Sequence, residues 1–246
     1  MLPTPRTAHV DYDRIYEPAE DSYLLLDTLA KRSERDFLRK RFPRNSPSPV
    51  VLEIGTGSGV VLAFATAHAN HIFGRSDVLT IGTDVNPFAC VAALRTVELA
   101  VSEANTAGTS TGFCLGCLEA DLATPFGGHA VDVALFNPPY VPTEMVPTAP
   151  GDSSVATPFE RESQLLALSY AGGVDGMEVT NRLLDQLPGI LSRRGVAYIL
   201  LCAQNKPAAI ARRINDASDD WVAQVVNSSG KTAGWERLSI LRIWRT

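Results

Sequence analysis

Residues 49–69 read PVVLEIGTGSGVVLAFATAHA. A short apolar run, 49–55, meets three glycines at alternate positions, and an apolar run of helical length, 59–69, follows. An uninterrupted apolar strand bounded by glycines reads as one buried on both faces, the kind found in parallel sheets. The glycines let a ligand approach the backbone closely at the strand's carboxyl end. The same rhythm recurs downstream. Strands are predicted over 77–85, 112–122, 130–137 and 195–203. Helices are predicted over 87–104, with Pro87 in its first turn, over 176–192, interrupted near Pro188, and over 206–217. The closing stretch, 221–245, reads as two strands around a Ser/Gly-rich turn. This alternation predicts an α/β fold: a mostly parallel sheet with helices on both faces and a C-terminal antiparallel strand pair at one edge.

The chain has 246 residues, 45% of them hydrophobic, which suits one globular domain over 1–246 with a sizeable core. Its net charge of −5 makes it a poor match for duplex nucleic acid, where basic patches supply most of the affinity. Direct nucleic-acid binding is therefore not expected. The four cysteines are Cys90, Cys114, Cys117 and Cys202. Cys114 and Cys117 form a C-x-x-C inside a strand, but no second such pair completes a zinc site, so all four read as structural thiols in a reducing compartment. His68 and His71 have no acidic or thiol ligand beside them. The N-terminus lacks an apolar signal core, and no apolar run approaches the ~18 residues of a membrane span. A soluble, intracellular protein without membrane contact is expected. Residues 1–15 read as an N-terminal extension. Three stretches read as loops: 31–49, which begins helical and becomes a basic Pro/Ser-rich surface tether, 105–112 and 147–158.

Ligands of open α/β sheets bind outside the carboxyl ends of the strands. The first strand ends in Glu53 and the turn Gly55-Thr56-Gly57-Ser58-Gly59, the second in Asp84-Val85-Asn86, and the third in Asp121-Leu122. The fourth ends in Asn137-Pro138-Pro139-Tyr140. The glycine turn is G-x-G-x-G, because Val60 stands where a dinucleotide fingerprint needs its third glycine. Asp84 is placed to accept both hydroxyls of an adenosine ribose, a role common to dinucleotide and S-adenosylmethionine sites; it is equally placed to cap the following helix. Asp121 suits an adenine amino group or an ordinary loop. Glu53, an acid within a buried strand, needs a partner, for which an ammonium or the glycine-loop amides serve.

The run ALFNPPYVP, 134–142, is the most specific feature. Asn137 offers an acceptor oxygen and two donors. Pro138 and Pro139 present carbonyls on a stiff backbone without N–H groups. A planar –NH2 group can give one hydrogen to the Asn137 oxygen and the other to a proline carbonyl, while Tyr140 stacks on its plane. Such a clamp suits a side-chain amide or the exocyclic amine of a base.

At these residues the chain resembles the class I S-adenosylmethionine-dependent methyltransferases that carry N-P-P-Y, and within them the HemK-type protein-glutamine methyltransferases. YEPAEDSYLLLDTL (16–29), LEIGTGSGVV, TDVNP, ADL, FNPPYVP and AGGVDG follow in that family's order, from about residue 12 to 244. The short stretch before Tyr16 fits the eukaryotic and archaeal branch, which lacks the bacterial N-terminal helical domain. Ser22 stands where the family has Thr. The resemblance implies a Rossmann-like sheet of seven strands. It implies that Tyr16, Glu17, Pro18, Ala19, Glu20, Asp21 and Ser22 close over the methyl donor, that Glu53, Gly55, Gly57, Asp84, Val85, Asp121, Leu122 and Asn137 contact it, and that Asn137, Pro138, Pro139 and Tyr140 clamp the substrate. The implied reaction is cytoplasmic methylation of the glutamine in the Gly-Gly-Gln loop of a class I translation release factor, which can arrive with its GTPase partner. A small zinc-binding activator subunit is implied. In the usual order of such sheets the strand at 113–119 lies at the edge, with Phe113, Leu115 and Cys117 on one face and Cys114 and Leu118 on the other, and an exposed apolar edge invites that partner to add a strand there. Methylation of a DNA or RNA base amine, or of a protein lysine, is the alternative; the absence of a target-recognition module speaks against the nucleic acids.

Overall fold

The computed structural model describes residues 2–147, 157–230 and 237–246, and of residues 158–162 the backbone alone. Seven strands form one sheet: β1 (Val50–Ile54), β2 (Leu79–Asp84), β3 (Phe113–Glu119), β4 (Val131–Phe136), β5 (Leu191–Cys202), β6 (Trp221–Ser228) and β7 (Leu238–Arg245). Their order is β3-β2-β1-β4-β5-β7-β6. The first five run parallel, and β7 is antiparallel to both β5 and β6. The fold class read from the sequence therefore holds.

The central strands alternate between two buried faces, so each is apolar along its length. Val51, Val133, Leu135, Val196, Tyr198 and Leu200 pack on one side, with α1 (Glu20–Ala30), α2 (Arg32–Arg41), α3 (Val60–Ala67) and α4 (Ala69–Phe73). Leu52, Ile54, Ala134, Phe136, Ala197, Ile199 and Leu201 pack on the other, with α7 (Glu178–Ile190) and α8 (Pro207–Ala217). A smaller cluster joins α3 to α5 (Pro87–Thr106) through Leu62, Ala63, Ala67, Val97 and Ala100. α6 (Pro158–Leu168) lies where the sequence assigns no element. α7 runs through Pro188 rather than breaking there, because the proline sits in its last turn and removes a single helix bond.

Two expectations need correction. The stretch 31–49 begins helical, as expected, but it is not a surface insertion, because α2 and the residue after it are anchored in the core. Its many arginines hide an i, i+4 series, Glu34, Leu38 and Phe42, all buried. The Glu34 carboxylate accepts from the Tyr198 hydroxyl at 3.0 Å and from Arg242 Nη1 at 2.7 Å, which ties α2 to β5 and β7. The turn that follows is clasped by Arg75 and Arg194, which donate to the carbonyls of Pro43 and Pro47.

The second concerns β3. Strict alternation puts Phe113, Leu115 and Cys117 on one face and Cys114 and Leu118 on the other. Between Thr80 and Ile81 of β2 the register slips, so that Cys114 faces Thr80 and Gly116 faces Ile81. The extra residue is a bulge. Cys114 and Cys117 consequently share the α3/α5 face, where Cys114 packs on the Leu62 cluster and Cys117 Sγ lies 3.6 Å from Thr56 Oγ1. Phe113, Leu115 and Leu118 are left exposed together. β3 is an edge strand, and the connection 120–130 contributes no helix to cover it.

Candidate active site

The strand order reverses at β1, with β2 on one side and β4 on the other, which is where open α/β sheets hold ligands. A cavity of about 420 Å³ opens at that point, a volume within the usual range for small-molecule sites. Glu53, Gly55, Gly57, Asp84, Val85, Asp121, Leu122, Asn137 and Pro139 line it, as do Tyr16, Asp21 and Ser22 from the N-terminal segment. Glu17 and Glu20 are exposed and, with Pro18, lie outside the wall. Pro138 is buried behind the wall, and Tyr140 is half-buried beside it.

Asp84 is held by backbone donors. Gly57 N–H donates to Oδ2 at 2.8 Å, and Asn86 N–H to Oδ1 at 2.9 Å. Burial raises its carboxyl above the ordinary range despite these bonds. The helix-capping role falls to Asn86, whose Oδ1 accepts from Phe88 N–H at 3.0 Å. Glu53 is more severely desolvated. Its carboxyl is pushed well above the usual range, first by burial, with Asp84 adding repulsion, and its Oε2 has no hydrogen-bond partner. A cationic group in the cavity would relieve both conditions. Asp121 is half exposed and pairs with Arg182 of α7 rather than standing free.

Asn137 ends β4 with a buried Oδ1 that likewise lacks a partner. A buried acceptor left unmade costs about 1–3 kcal/mol, so an amide donor entering here is favoured. Beyond it the chain is fitted against the 171–176 loop. A side chain at Gly172 would bring its Cβ to 2.5 Å from the Pro139 carbonyl oxygen, and one at Gly176 to 2.0 Å from that of Tyr140. The Pro139 carbonyl is thus packed closely against that loop. The Tyr140 hydroxyl donates to Asp21 Oδ2 at 3.3 Å, and the Tyr16 hydroxyl donates to the same oxygen at 3.1 Å. Asp21 therefore joins the N-terminal segment to the strand-end motif. Tyr140 spends its hydroxyl on this junction and packs against the core, besides any stacking on a substrate.

Several cavity residues carry no local signal in the sequence. Arg182 and Val179 come from α7, and Leu165, Leu168 and Ser169 from α6 and its end. The expected loop 147–158 lies largely outside the described residues. Among the described residues no group of three His, Cys, Asp or Glu side chains could hold a metal.

The residues fit S-adenosylmethionine: an unpaired buried carboxylate for its ammonium, an acidic strand end for its ribose, and a volume of the right order. No family model matches the chain. It is 33% identical to the eRF1 methyltransferase catalytic subunit Mtq2 of Schizosaccharomyces pombe, over 100% of this chain and 96% of that one. It is 32% identical to the methyltransferase HEMK2 of Mus musculus, over 98% and 96%. A chain in the structure of the E. cuniculi Mtq2–Trm112 complex shares the fold, with a TM-score of 0.54 at 23% identity over 95% of this chain and 99% of that one. With likeness running from end to end and a cavity that suits the methyl donor, the chain belongs to the eukaryotic and archaeal branch of the HemK-type, S-adenosylmethionine-dependent protein-glutamine methyltransferases.

Proposed function

We propose that this chain methylates the side-chain amide nitrogen of the glutamine in the Gly-Gly-Gln loop of a class I translation release factor. The observation that carries the reading is the unpartnered, buried Asn137 Oδ1 at the wall of the cavity that also holds Glu53 and Asp84. The name of the fission-yeast relative, an eRF1 methyltransferase, supports the substrate.

S-adenosylmethionine, when bound, supplies an electrophilic methyl group. Glu53 would hold its ammonium and Asp84 its ribose. Asn137 Oδ1 accepts one hydrogen of the substrate amide and the Pro138 carbonyl the other. This fixes the plane of the amide and aims its nitrogen into the cavity. An amide nitrogen is a poor nucleophile, so orientation and charge stabilisation carry the rate. As the nitrogen–methyl bond forms and the methyl–sulfur bond breaks, positive charge grows on that nitrogen, and the two oxygens stabilise it until one of its hydrogens leaves as a proton to water. Among the described residues no His or Lys lines the cavity.

The chain works in this reading as the catalytic half of a heterodimer. The edge of β3 presents unpaired backbone groups beside Phe113, Leu115 and Leu118, which are 62%, 58% and 41% exposed. A partner that adds a strand there buries all three. The relative that bears the name catalytic subunit, and the two-protein E. cuniculi assembly, support a small partner. That this partner binds zinc, that the release factor is presented with its GTPase, and that the reaction is cytoplasmic belong to the same proposal.

The test is methyl transfer from labelled S-adenosylmethionine to a purified release factor by the co-expressed pair. Label is expected on the Gly-Gly-Gln glutamine and lost when that residue is replaced by Glu. Undiminished labelling of the replaced factor overturns the reading.

A further inference from the structure

Pro138 and Pro139 have no N–H groups, so the middle of the clamp must be positioned from its carbonyl side and from its flanks. Downstream, Val141 N–H donates to the Tyr170 carbonyl at 3.0 Å, Gly172 N–H to that of Val141 at 2.8 Å, and Thr143 N–H to that of Gly173 at 3.0 Å. This ladder begins after Tyr140. Tyr140 itself is held from beneath by a residue the sequence reading passed over. Asn205, 3% exposed, follows β5 in a short 3-10 turn. Its Oδ1 accepts from Cys202 N–H at 2.8 Å. Its Nδ2 donates to the carbonyls of Tyr140 at 3.3 Å, Asp175 at 2.9 Å and Gly176 at 3.4 Å.

One side-chain amide thus joins the end of β5, the strand-end clamp and the 171–176 loop. The junction is conformationally costly. Asp175 and Lys206, non-glycine residues on either side of it, both have φ of 55°. Such strain persists where the surroundings over-determine it, and it concentrates at functional sites. Gly176 allows the close approach, since its Cβ would fall 2.8 Å from Asn205 Nδ2 as well as on the Tyr140 oxygen.

We propose that Asn205 is a positioning residue for methyl transfer: by pinning the Tyr140 carbonyl it sets where the Asn137 amide and Pro138 carbonyl meet the substrate nitrogen. The inference rests on the reading of Asn137–Tyr140 as the clamp. Displacing a reacting group by about 1 Å can cost on the order of a hundredfold in rate, so a residue that never touches substrate can act in this way.

Asn205→Asp tests it in the enzyme co-expressed with its activator. The replacement is isosteric and keeps the acceptor for Cys202, but an ionised carboxylate cannot donate to Tyr140. At pH 8 we expect kcat on the release factor to fall by about 30-fold or more, with the Kd for S-adenosylmethionine within about threefold of wild type. Burial beside carbonyls raises the pKa of the new carboxyl, and its protonated form regains an O–H donor. The ratio of variant to wild-type kcat is therefore expected to rise as pH falls. Without substrate, hydrogen exchange at Val141, Gly172 and Thr143 is expected to quicken. An unchanged kcat overturns the proposal. So does a loss of kcat that follows loss of cofactor affinity and shows no regain at low pH, which assigns Asn205 to fold integrity alone. Asn205→Ser, which keeps a hydroxyl donor, is the second variant; failure of both to fold likewise overturns the proposal. If wild type leaves the glutamine unmethylated, the substrate reading fails. The exchange arm then still decides: quickened exchange in the variant supports the pinning of the clamp, and unchanged exchange removes it.

Discussion

Asn137 and Glu53 each bury an oxygen without a partner, and the two oxygens divide the labour of the cavity. Asn137→Ala is expected to lower methyl transfer at least a hundredfold, the scale of losing one preorganised hydrogen-bond group at a reacting centre. Cofactor affinity by equilibrium dialysis should change by less than about threefold. Asp84→Ala should do the reverse. Losing hydrogen bonds to a charged group, about 1.5–3 kcal/mol, weakens S-adenosylmethionine binding roughly 10- to 100-fold. Glu53 gives a pH signature. Its folded pKa is raised, so the cofactor-free chain binds a proton there more readily than the unfolded chain does. The stability linked to Glu53 is greatest in acid and is lost as pH rises through the folded pKa. Ammonium binding needs the ionised form, so the rise in Tm caused by S-adenosylmethionine should grow with pH over that window. In Glu53→Gln that growth should flatten; a shift that stays as steep would remove Glu53 from the ammonium site.

Among the elements, α2 and β3 show how local patterns mislead. A helix of arginines looks detachable, yet its Glu34 is sealed against Arg242 and Tyr198. Taking one partner from a buried ion pair strands the other charge. Glu34→Ala should therefore lower unfolding free energy by about 3–5 kcal/mol in a urea titration, while substitution of the exposed Arg32 should change it by less than about 0.5 kcal/mol. In β3 the bulge gathers three apolar side chains on one uncovered face. The double variant Phe113→Lys, Leu115→Lys should raise the solubility of the chain made alone and abolish co-purification with the small subunit. If the pair still forms, the partner sits elsewhere.

Across the whole molecule, the order of legibility follows the range of the interactions. The alternating strand and helix lengths, the glycine turn after β1 and the acids at the strand ends are local, and burial on both faces writes them as continuous apolar runs. The α/β class and the antiparallel closing pair were therefore available from the chain alone, as were Glu53, Asp84 and Asn137 at strand ends. Tertiary structure decided what depends on residues far apart in sequence. It set Arg182 against Asp121 and Asn205 beneath Tyr140, and it brought α6 to the cavity wall. It also reversed the faces of Cys117 and Leu118, because a bulge is a property of two strands in register and leaves no periodic trace in one. The sequence by itself determined the sheet and the chemistry at its strand ends; the clamp's exact pose, held by carbonyls because its prolines have nothing to donate, exists only once β5 and the 171–176 loop have folded around it.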